Sequence, residues 1–166
     1  MNQSDFHIRY ATTADLPVFL DLFRNVISGL SDYYNDTAIK GEIKRINLEY
    51  LTSQIGQNSK TLLLAFLEKT PVGFCIIQDQ TGPIWIEWYG VQESARKHGV
   101  GKALLQHLIS DASQNPTATK LWCGTRINND ISSSLLEQTG FQRLCKVNNH
   151  WYGQDFYLWE RMLKKV

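Results

Sequence analysis

The most informative segment of the chain is residues 91–105, VQESARKHGVGKALL. A polar and basic loop leads to Gly99 and Gly101, where a helix with an apolar face is predicted to begin. The first amides of a helix have no internal partners and lie at the positive end of its dipole. Glycine also lets a ligand approach the backbone closely. This combination predicts a binding site for a phosphate group.

Two other phosphate motifs fit the segment poorly. A P-loop needs glycine at position 96 and serine or threonine at position 103, but the chain has Arg96 and Ala103. A dinucleotide fingerprint needs glycine or alanine at position 104, where the chain has Leu104. It would also stand in a first strand–helix–strand unit, and here several predicted strands come before it.

The residues before this segment show strand and helix patterns. Thr12 and Asp15 have the spacing of a capping box, and apolar residues at helical spacing follow over 16–27. Residues 39–51 predict a second, more polar helix. Strands are predicted at 6–10, 61–67, 72–78 and 84–91. The links between the last three are too short for a crossover helix, so these three strands should form an antiparallel meander.

After the glycines, the pattern predicts the helix from residue 100, a strand at 120–124, a short helix at 131–138 and strands at 141–147 and 151–162. The strand–helix–strand unit around the glycines favours parallel pairing of its two strands. The whole pattern predicts one α/β domain over residues 1–166. Its sheet should be mixed and mostly antiparallel, with about seven strands flanked by about four helices.

Composition narrows the function classes. The chain has 166 residues, 17 basic and 16 acidic side chains and a formal net charge of +1. A nucleic-acid-binding protein normally has a clear basic excess, so no nucleic-acid partner is expected. No signal-peptide pattern or apolar run of membrane-spanning length is evident, so we expect a cytoplasmic protein without a membrane partner.

The cysteines and histidines do not indicate a metal site. Cys75, Cys123 and Cys145 each fall in an apolar run, which predicts small buried side chains. The four histidines show no ligand spacing with one another or with cysteine, so no metal is expected.

The glycine segment resembles a known family signature. Residues 96–101, RKHGVG, match the R/Q-x-x-G-x-G/A signature of the GCN5-related N-acetyltransferase (GNAT) family. The resemblance extends to Ile8-Arg9-Tyr10 with Asp15-Leu16 at the start, to the meander, and to the pair Gly140-Phe141. It covers nearly the whole chain and implies acetyl-CoA as cosubstrate.

The resemblance also implies where acetyl-CoA would bind. Backbone amides of the signature would hold the pyrophosphate, which implicates Arg96, Lys97, His98, Gly99, Val100, Gly101 and Lys102. The preceding strand would offer backbone groups to the pantetheine arm at Tyr89, Gly90 and Val91. The alternative is that the two glycines only shape a tight turn. Asn129 stands where the family often has a cofactor-contacting asparagine, but a helix cap explains it equally well.

Glu87 is the candidate general base. Transfer to an amine needs a neutral nucleophile, and alkylamines are protonated near pH 7. Glu87 is a charge in a strand of Ile, Trp and Tyr residues, and in a regular strand it would share one face with Trp85, Tyr89 and Val91. A structurally paired carboxylate or an anion that binds the acceptor would explain it as well.

The candidate general acid departs from the family pattern. The family commonly has a tyrosine four residues before the Gly-Phe pair, and this chain has Leu136 there. Tyr89, Tyr152 and Tyr157 could substitute, and we name Tyr152 as the candidate. Loss of the acid need not abolish transfer, because a thiol is a tolerable leaving group.

These observations lead to one preferred function and one alternative. The preferred function is an acetyl-CoA-dependent N-acetyltransferase that passes acetyl directly, in a ternary complex, to a primary amine of a small molecule or a peptide N-terminus. The alternative is a catalytically silent acyl-CoA-binding or sensing module. Exposed edge strands would also allow a homodimer.

Overall fold

A seven-stranded sheet organises the structure, a computed structural model that describes residues 6–57 and 59–163. The strands are β1 (Phe6–Tyr10), β2 (Thr61–Leu67), β3 (Thr70–Asp79), β4 (Pro83–Val91), β5 (Lys120–Arg126), β6 (Gln142–Trp151) and β7 (Gln154–Met162). The helices are α1 (Leu16–Ser28), α2 (Asp36–Arg45), α3 (Leu48–Gly56), α4 (Val100–Gln114) and α5 (Asp130–Gln138).

The strand order is β1-β2-β3-β4-β5-β7-β6. All neighbours pair antiparallel except β4 and β5, which are parallel. The predicted fold class, the meander and the parallel pair are therefore confirmed.

Apolar side chains cover both faces of the sheet. On one face, Leu104, Leu105 and Leu108 of α4 pack on the central strands together with Leu136 of α5. On the other face, α1 buries Phe19 and Phe23 against Phe74 of β3, with ring centroids 5.5 Å apart in both pairs. The sheet is thus held between two apolar layers.

The second predicted helix is in fact two helices. Residues 39–51 contain a break after Arg45, where Ile46 ends α2 and the Asn47 side chain accepts a hydrogen bond from the Tyr50 amide to cap α3. An asparagine cap competes with continued helix, which the apolar spacing alone does not show. The described residues therefore form five α-helices where about four were expected.

The last turn also lies further along the chain than predicted. Strand β6 continues to Trp151, so Trp151 ends this strand instead of opening the last one. The turn is at Tyr152 and Gly153, whose φ angles are 50° and 70°. Two positive φ angles in succession are typical of the tight hairpin turn that matches the twist of the strands.

One of the three cysteines is not buried. Cys75 and Cys123 are buried as predicted, but Cys145 is exposed. Its strand, β6, is the edge of the sheet and has most of its residues in solvent. Among the described residues, no helix has both the length and the apolar character needed to cross a membrane.

Candidate active site

A cavity of about 1160 Å³ lies where β4 and β5 separate. The parallel ladder joins Pro83–Ile86 to Lys120–Cys123, and β4 then continues for five residues without pairing to β5. Residues of both unpaired strand ends line the cavity, including Tyr89, Gly90 and Gly124. The cavity is therefore an opening in the sheet itself, with backbone groups of β4 at its wall.

The glycine loop forms one end of this cavity. Lys97 and Gly99 have φ angles of 65° and 85°, and the first hydrogen bond of α4 runs from the Ala103 amide to the Gly99 carbonyl at 2.9 Å. The amides of residues 100–102 precede that bond and are free for a ligand. A Cβ atom added at Gly99 would have no atom within 4 Å, so the loop backbone is open to an incoming group.

All but one of the residues predicted from the sequence to hold the pyrophosphate line this cavity. The cavity is lined by Arg96, Lys97, Gly99, Val100, Gly101 and Lys102. His98 is exposed and is not among the lining residues. The Arg96 Nε atom donates to the Val91 carbonyl at 3.1 Å, which ties the loop to the end of β4. The residues present thus fit a phosphate-bearing ligand: open amides, a helix N-terminus and cationic side chains.

Helix α5 contributes another part of the cavity wall. Asn129 caps α5 by accepting a hydrogen bond from the Ser132 amide at 3.0 Å, and it also lines the cavity. Its Oδ1 atom accepts the capping bond, and its Nδ2 atom could donate to a ligand. The hydroxyls of Tyr89 and Ser132 are hydrogen-bonded to each other across the opening. Burial raises the pKa of the Tyr89 hydroxyl well above its usual value, so this side chain stays protonated.

A bulge at Glu87 breaks the regular alternation of β4. Ile76 pairs with Trp88 and Ile77 pairs with Ile86, so Glu87 has no partner on β3. As a result, Tyr89 and Val91 pack toward the layer formed by α4, while Trp88 packs into the layer formed by α1. The expectation that Glu87, Tyr89 and Val91 share one face was wrong, because it assumed a regular strand.

Glu87 belongs to a cluster of four charged side chains at the cavity wall. Its Oε1 atom accepts from Arg45 at 2.7 Å, and its Oε2 atom accepts from Lys60 Nζ. Arg45 also donates to both oxygens of Glu42, at 2.8 and 2.5 Å. Glu42 is 1% exposed and additionally accepts from the Trp88 indole at 2.9 Å.

The charges within this cluster balance. Burial acts to lower the pKa of Arg45, but Glu42 and Glu87 more than offset it, so that the pKa is raised. Buried charges are tolerated when they are paired in this way. Glu42, Arg45 and Lys60 were not predicted as site residues. For Glu42 a sequence signal existed: it stands four residues after Ala38 and four before Ile46, so helical spacing puts a carboxylate on the same side as these apolar residues.

Aromatic rings line the cavity beside this cluster. Tyr34, Trp88 and Trp151 have ring centroids 5.4–5.9 Å apart, and Phe156 lies 5.9 Å from Trp151. Tyr152 follows Trp151 and also lines the cavity. A Cβ atom built on Gly41 of α2 would lie 2.1 Å from the Tyr152 hydroxyl oxygen, so this hydroxyl rests on the helix. The described part of the chain holds no group of three or more His, Cys, Asp or Glu residues that could bind a metal.

Comparison with known proteins identifies the family of the chain. The sequence profile of the acetyltransferase (GNAT) family matches residues 27–141. The chain belongs to this family. The resemblance inferred from the glycine signature is thereby confirmed, and the cavity contains the residues of that signature apart from His98.

Individual relatives agree with this assignment. The [ribosomal protein bS18]-alanine N-acetyltransferase of Escherichia coli (strain K12) is 28% identical over 106 residues, which span 64% of this chain and 64% of the relative. A GNAT-family acetyltransferase from Streptococcus pneumoniae has the same fold, with a TM-score of 0.79 at 21% identity over 96% of this chain and 99% of that one. The PaiA N-acetyltransferase of Thermoplasma acidophilum, solved with coenzyme A, has a TM-score of 0.81 at 17% identity. The match covers 95% of this chain and 98% of that one.

Proposed function

We propose that the protein is an acetyl-CoA-dependent N-acetyltransferase that transfers acetyl directly to a primary amine in a ternary complex. The observation that carries this proposal is the single cavity joining the open amides of the α4 N-terminus to the unpaired end of β4. Family membership supports the donor, because the bound molecule of a structural neighbour is coenzyme A.

The residues that line the cavity suggest how acetyl-CoA would be held. The loop and helix start at residues 96–102 would hold the pyrophosphate with amides and the charges of Arg96, Lys97 and Lys102. Gly90 and Val91 would present backbone groups to the pantetheine arm in the place of a β5 strand. Acetyl-CoA would supply an activated acetyl group, and the chain would orient it and exclude water.

The cysteines support direct transfer over a covalent acetyl-enzyme. No cysteine is among the described residues that line the cavity. Burial raises the pKa of the Cys75 and Cys123 thiols, which disfavours the nucleophilic thiolate. Cys145 lies on the exposed edge strand. The acceptor amine would therefore attack the thioester itself.

The acceptor is proposed to be a small amine or a peptide N-terminus. Aromatic and charged side chains that could receive an amine line the cavity, and we propose that they form its acceptor side: Tyr34, Trp88, Trp151, Glu42, Arg45 and Glu87. The relative from Escherichia coli acts on an alanine of a ribosomal protein, which supports a peptide N-terminus. The match covers slightly less than two thirds of that relative, so its acceptor is a guide to the choice of substrates for testing.

Glu87 is the proposed group that receives the proton of the amine, and Tyr152, the candidate acid predicted from the sequence, lines the same cavity. Glu87 lines the cavity, but Arg45 and Lys60 occupy both its oxygens, so it would receive the proton of the amine through water. Tyr152 places its hydroxyl against α2 at the same cavity. The silent-module alternative is favoured by Leu136 and by the paired state of Glu87, and turnover distinguishes the two functions.

Calorimetric titration of the folded protein with acetyl-CoA tests the proposal, with ATP and NAD as controls. We expect saturable binding of acetyl-CoA alone, followed by thiol release when a suitable amine is supplied. In the variant Gly101→Glu, binding should be lost, because the new side chain would place negative charge at the phosphate site. A folded Gly101→Glu protein with unchanged affinity would contradict the site assignment.

The matched control for this variant is Gly56→Glu. Gly56 ends α3, and a Cβ atom added there would meet nothing within 4 Å. It is not among the residues of the cavity wall. The control should retain the affinity of the unmodified protein.

A further inference from the structure

The proposed reaction leaves a thiolate without an evident proton donor. Position 136 is a leucine, fully buried in the layer between α4 and the sheet. Its side chain has no N–H or O–H group, and it is not among the residues that line the cavity. Any donor to the departing sulfur must come from another element of the cavity wall.

Tyr89 is the hydroxyl in the appropriate place. It lies three residues beyond Ile86, the last residue of β4 paired to β5, and hence inside the opening of the sheet. Its hydroxyl crosses this opening to Ser132, which is one helical turn before Leu136 on the same side of α5. Both Tyr89 and Ser132 line the cavity. The pair thus places two hydroxyl groups within about one helical turn of Leu136, where α5 has no hydrogen-bond donor.

Tyr152 is less well placed for this task. Its hydroxyl rests against Gly41 of α2, and its backbone carbonyl accepts from the Asn35 side chain at 3.1 Å. These contacts hold it at the acceptor side of the cavity. Tyr89 instead stands on the strand along which the pantetheine arm is proposed to lie.

We propose that Tyr89 donates a hydrogen bond to the departing sulfur and so stabilises the thiolate, with Ser132 as its positioning residue. This inference rests on the proposed function. Ser132 Oγ–H would donate to the Tyr89 oxygen, which directs the phenolic hydrogen into the cavity. The titratable groups that interact with Tyr89 include Cys75, Cys123 and Tyr34, whose pKa values are raised by burial, so these groups remain neutral at pH 7.

The proton balance of the step is complete. The bond between the acceptor nitrogen and the acetyl carbon forms, and the bond between that carbon and sulfur breaks with its electron pair going to sulfur. The nitrogen loses one proton to Glu87 through water, and the sulfur leaves as a thiolate that Tyr89 stabilises and that solvent then protonates. Tyr89 keeps its own proton throughout, so no oxidant or further reactant is needed.

The pKa of the thiol in bound coenzyme A tests the inference without turnover. In the wild-type complex, a hydrogen bond from Tyr89 to the thiolate should lower this pKa, read from the ultraviolet absorbance of the thiolate during a pH titration. In Tyr89→Phe the pKa should rise by about one to two units, because a hydrogen bond to a charged acceptor is lost. Ser132→Ala should give a smaller rise. Equal thiol pKa values in the wild type and both variants would overturn the inference.

The matched control is Tyr157→Phe. Tyr157 is a partly buried tyrosine packed against the same apolar layer, and its ring is covered by the Arg143 guanidinium 4.6 Å away. It is not among the residues lining the cavity. Its loss of a hydroxyl should leave the thiol pKa unchanged, and a shift as large as that of Tyr89→Phe would also overturn the inference.

Turnover provides the second measurement. With an accepted amine, Tyr89→Phe should lower kcat by at least about tenfold while calorimetry shows coenzyme A affinity within a few-fold of wild type. A kcat within twofold of wild type would count against Tyr89 as donor. Failure of the folded wild-type protein to bind coenzyme A would instead overturn the proposed function itself, and the assignment of Tyr89 with it.

Discussion

At the residue level, the Glu87 carboxylate is paired with two cations. Arg45 and Lys60 occupy its two oxygens, so a water molecule would have to carry the proton of the amine to it. We predict that Glu87→Gln lowers turnover more at pH 7 than at pH 9. At the higher pH a larger fraction of the amine is already neutral, and the base contributes less. Initial rates of thiol release at both pH values provide the measurement.

Glu42→Gln is the matched control for this prediction. Glu42 lies in the same cluster and loses the same charge, but it is almost fully buried beneath Arg45. Its substitution should lower activity or stability to a similar degree at both pH values. If Glu87→Gln also gave equal losses, Glu87 would be a structural carboxylate and another group would take the proton.

Glu87 could be identified from the sequence, but its partners in the charged cluster could not. Glu87 was identifiable because a charge is unexpected among the apolar and aromatic residues of β4. Its partners were not, since Lys60 and Arg45 stand 27 and 42 residues away along the chain. Only the bulge in β4 and the packing of α2 on the sheet bring them together, and neither has a local signature.

At the scale of elements, a short network joins β1 to the start of α1. Arg9 donates to both oxygens of Asp15 at 2.8 and 2.7 Å, and Asp15 also accepts from the Thr12 amide at 2.7 Å. These hydrogen bonds, led by those from Arg9, hold the pKa of Asp15 well below its usual value. The folded protein therefore favours the ionised form of the Asp15 carboxyl group.

We predict that Asp15→Asn lowers the free energy of unfolding by about 1 kcal/mol at pH 7. A carboxyl with a lowered folded pKa stabilises the protein above its unfolded pKa of about 3.9, and this contribution is lost as the pH falls below that value. The gap between wild type and variant should therefore shrink below about pH 4. Urea unfolding of both proteins across this pH range measures it.

Asp36→Asn provides a comparison for this prediction. Asp36 pairs with Lys40 at 3.2 Å on the exposed surface of α2, so its removal should change stability little at either pH. A gap for Asp15→Asn that stayed constant from pH 7 to pH 3 would show that the charge of Asp15 is not what stabilises the connection.

Elements whose signals are local were predictable. The capping box at Thr12 and Asp15 is present, and α4 begins at the glycines as expected. The hairpin turn at Tyr152 and Gly153 was missed, because Asn148 and Asn149 offer a stronger turn signal nearby. In the structure, Asn149 adopts a φ of 48° within β6, where the pairing register shifts. The preference of Asn149 for a bent backbone therefore corresponds to an irregularity within β6, and the chain reverses only at Tyr152 and Gly153.

At the scale of the whole molecule, the last hairpin is docked on the first helices. Asn35 donates to the Tyr152 carbonyl, and the Tyr152 hydroxyl rests on Gly41. We predict that Gly41→Ala raises KM for the acceptor severalfold, because the new methyl group would displace the Tyr152 ring. Affinity for acetyl-CoA and thermal stability should not fall, since alanine favours helix over glycine. Steady-state kinetics and thermal melts measure these effects.

Gly56→Ala is the corresponding control, as nothing lies within 4 Å of a Cβ atom at that position. It should leave the acceptor KM unchanged. Identical kinetics for the two alanine variants would mean that the position of Tyr152 does not matter to the acceptor.

The short parallel ladder between β4 and β5 divides the sheet into two unequal parts joined by four residue pairs. Tyr89 and Glu87 belong to the part with β1 to β4, while Ser132 and Tyr152 are attached to the part with β5 to β7. A ligand lying in the opening would act as a temporary strand, bonded to edges that are otherwise unpaired. When the ligand leaves, these edges would lose their hydrogen-bonding partner. Product release would therefore also weaken the connection between the two parts of the sheet.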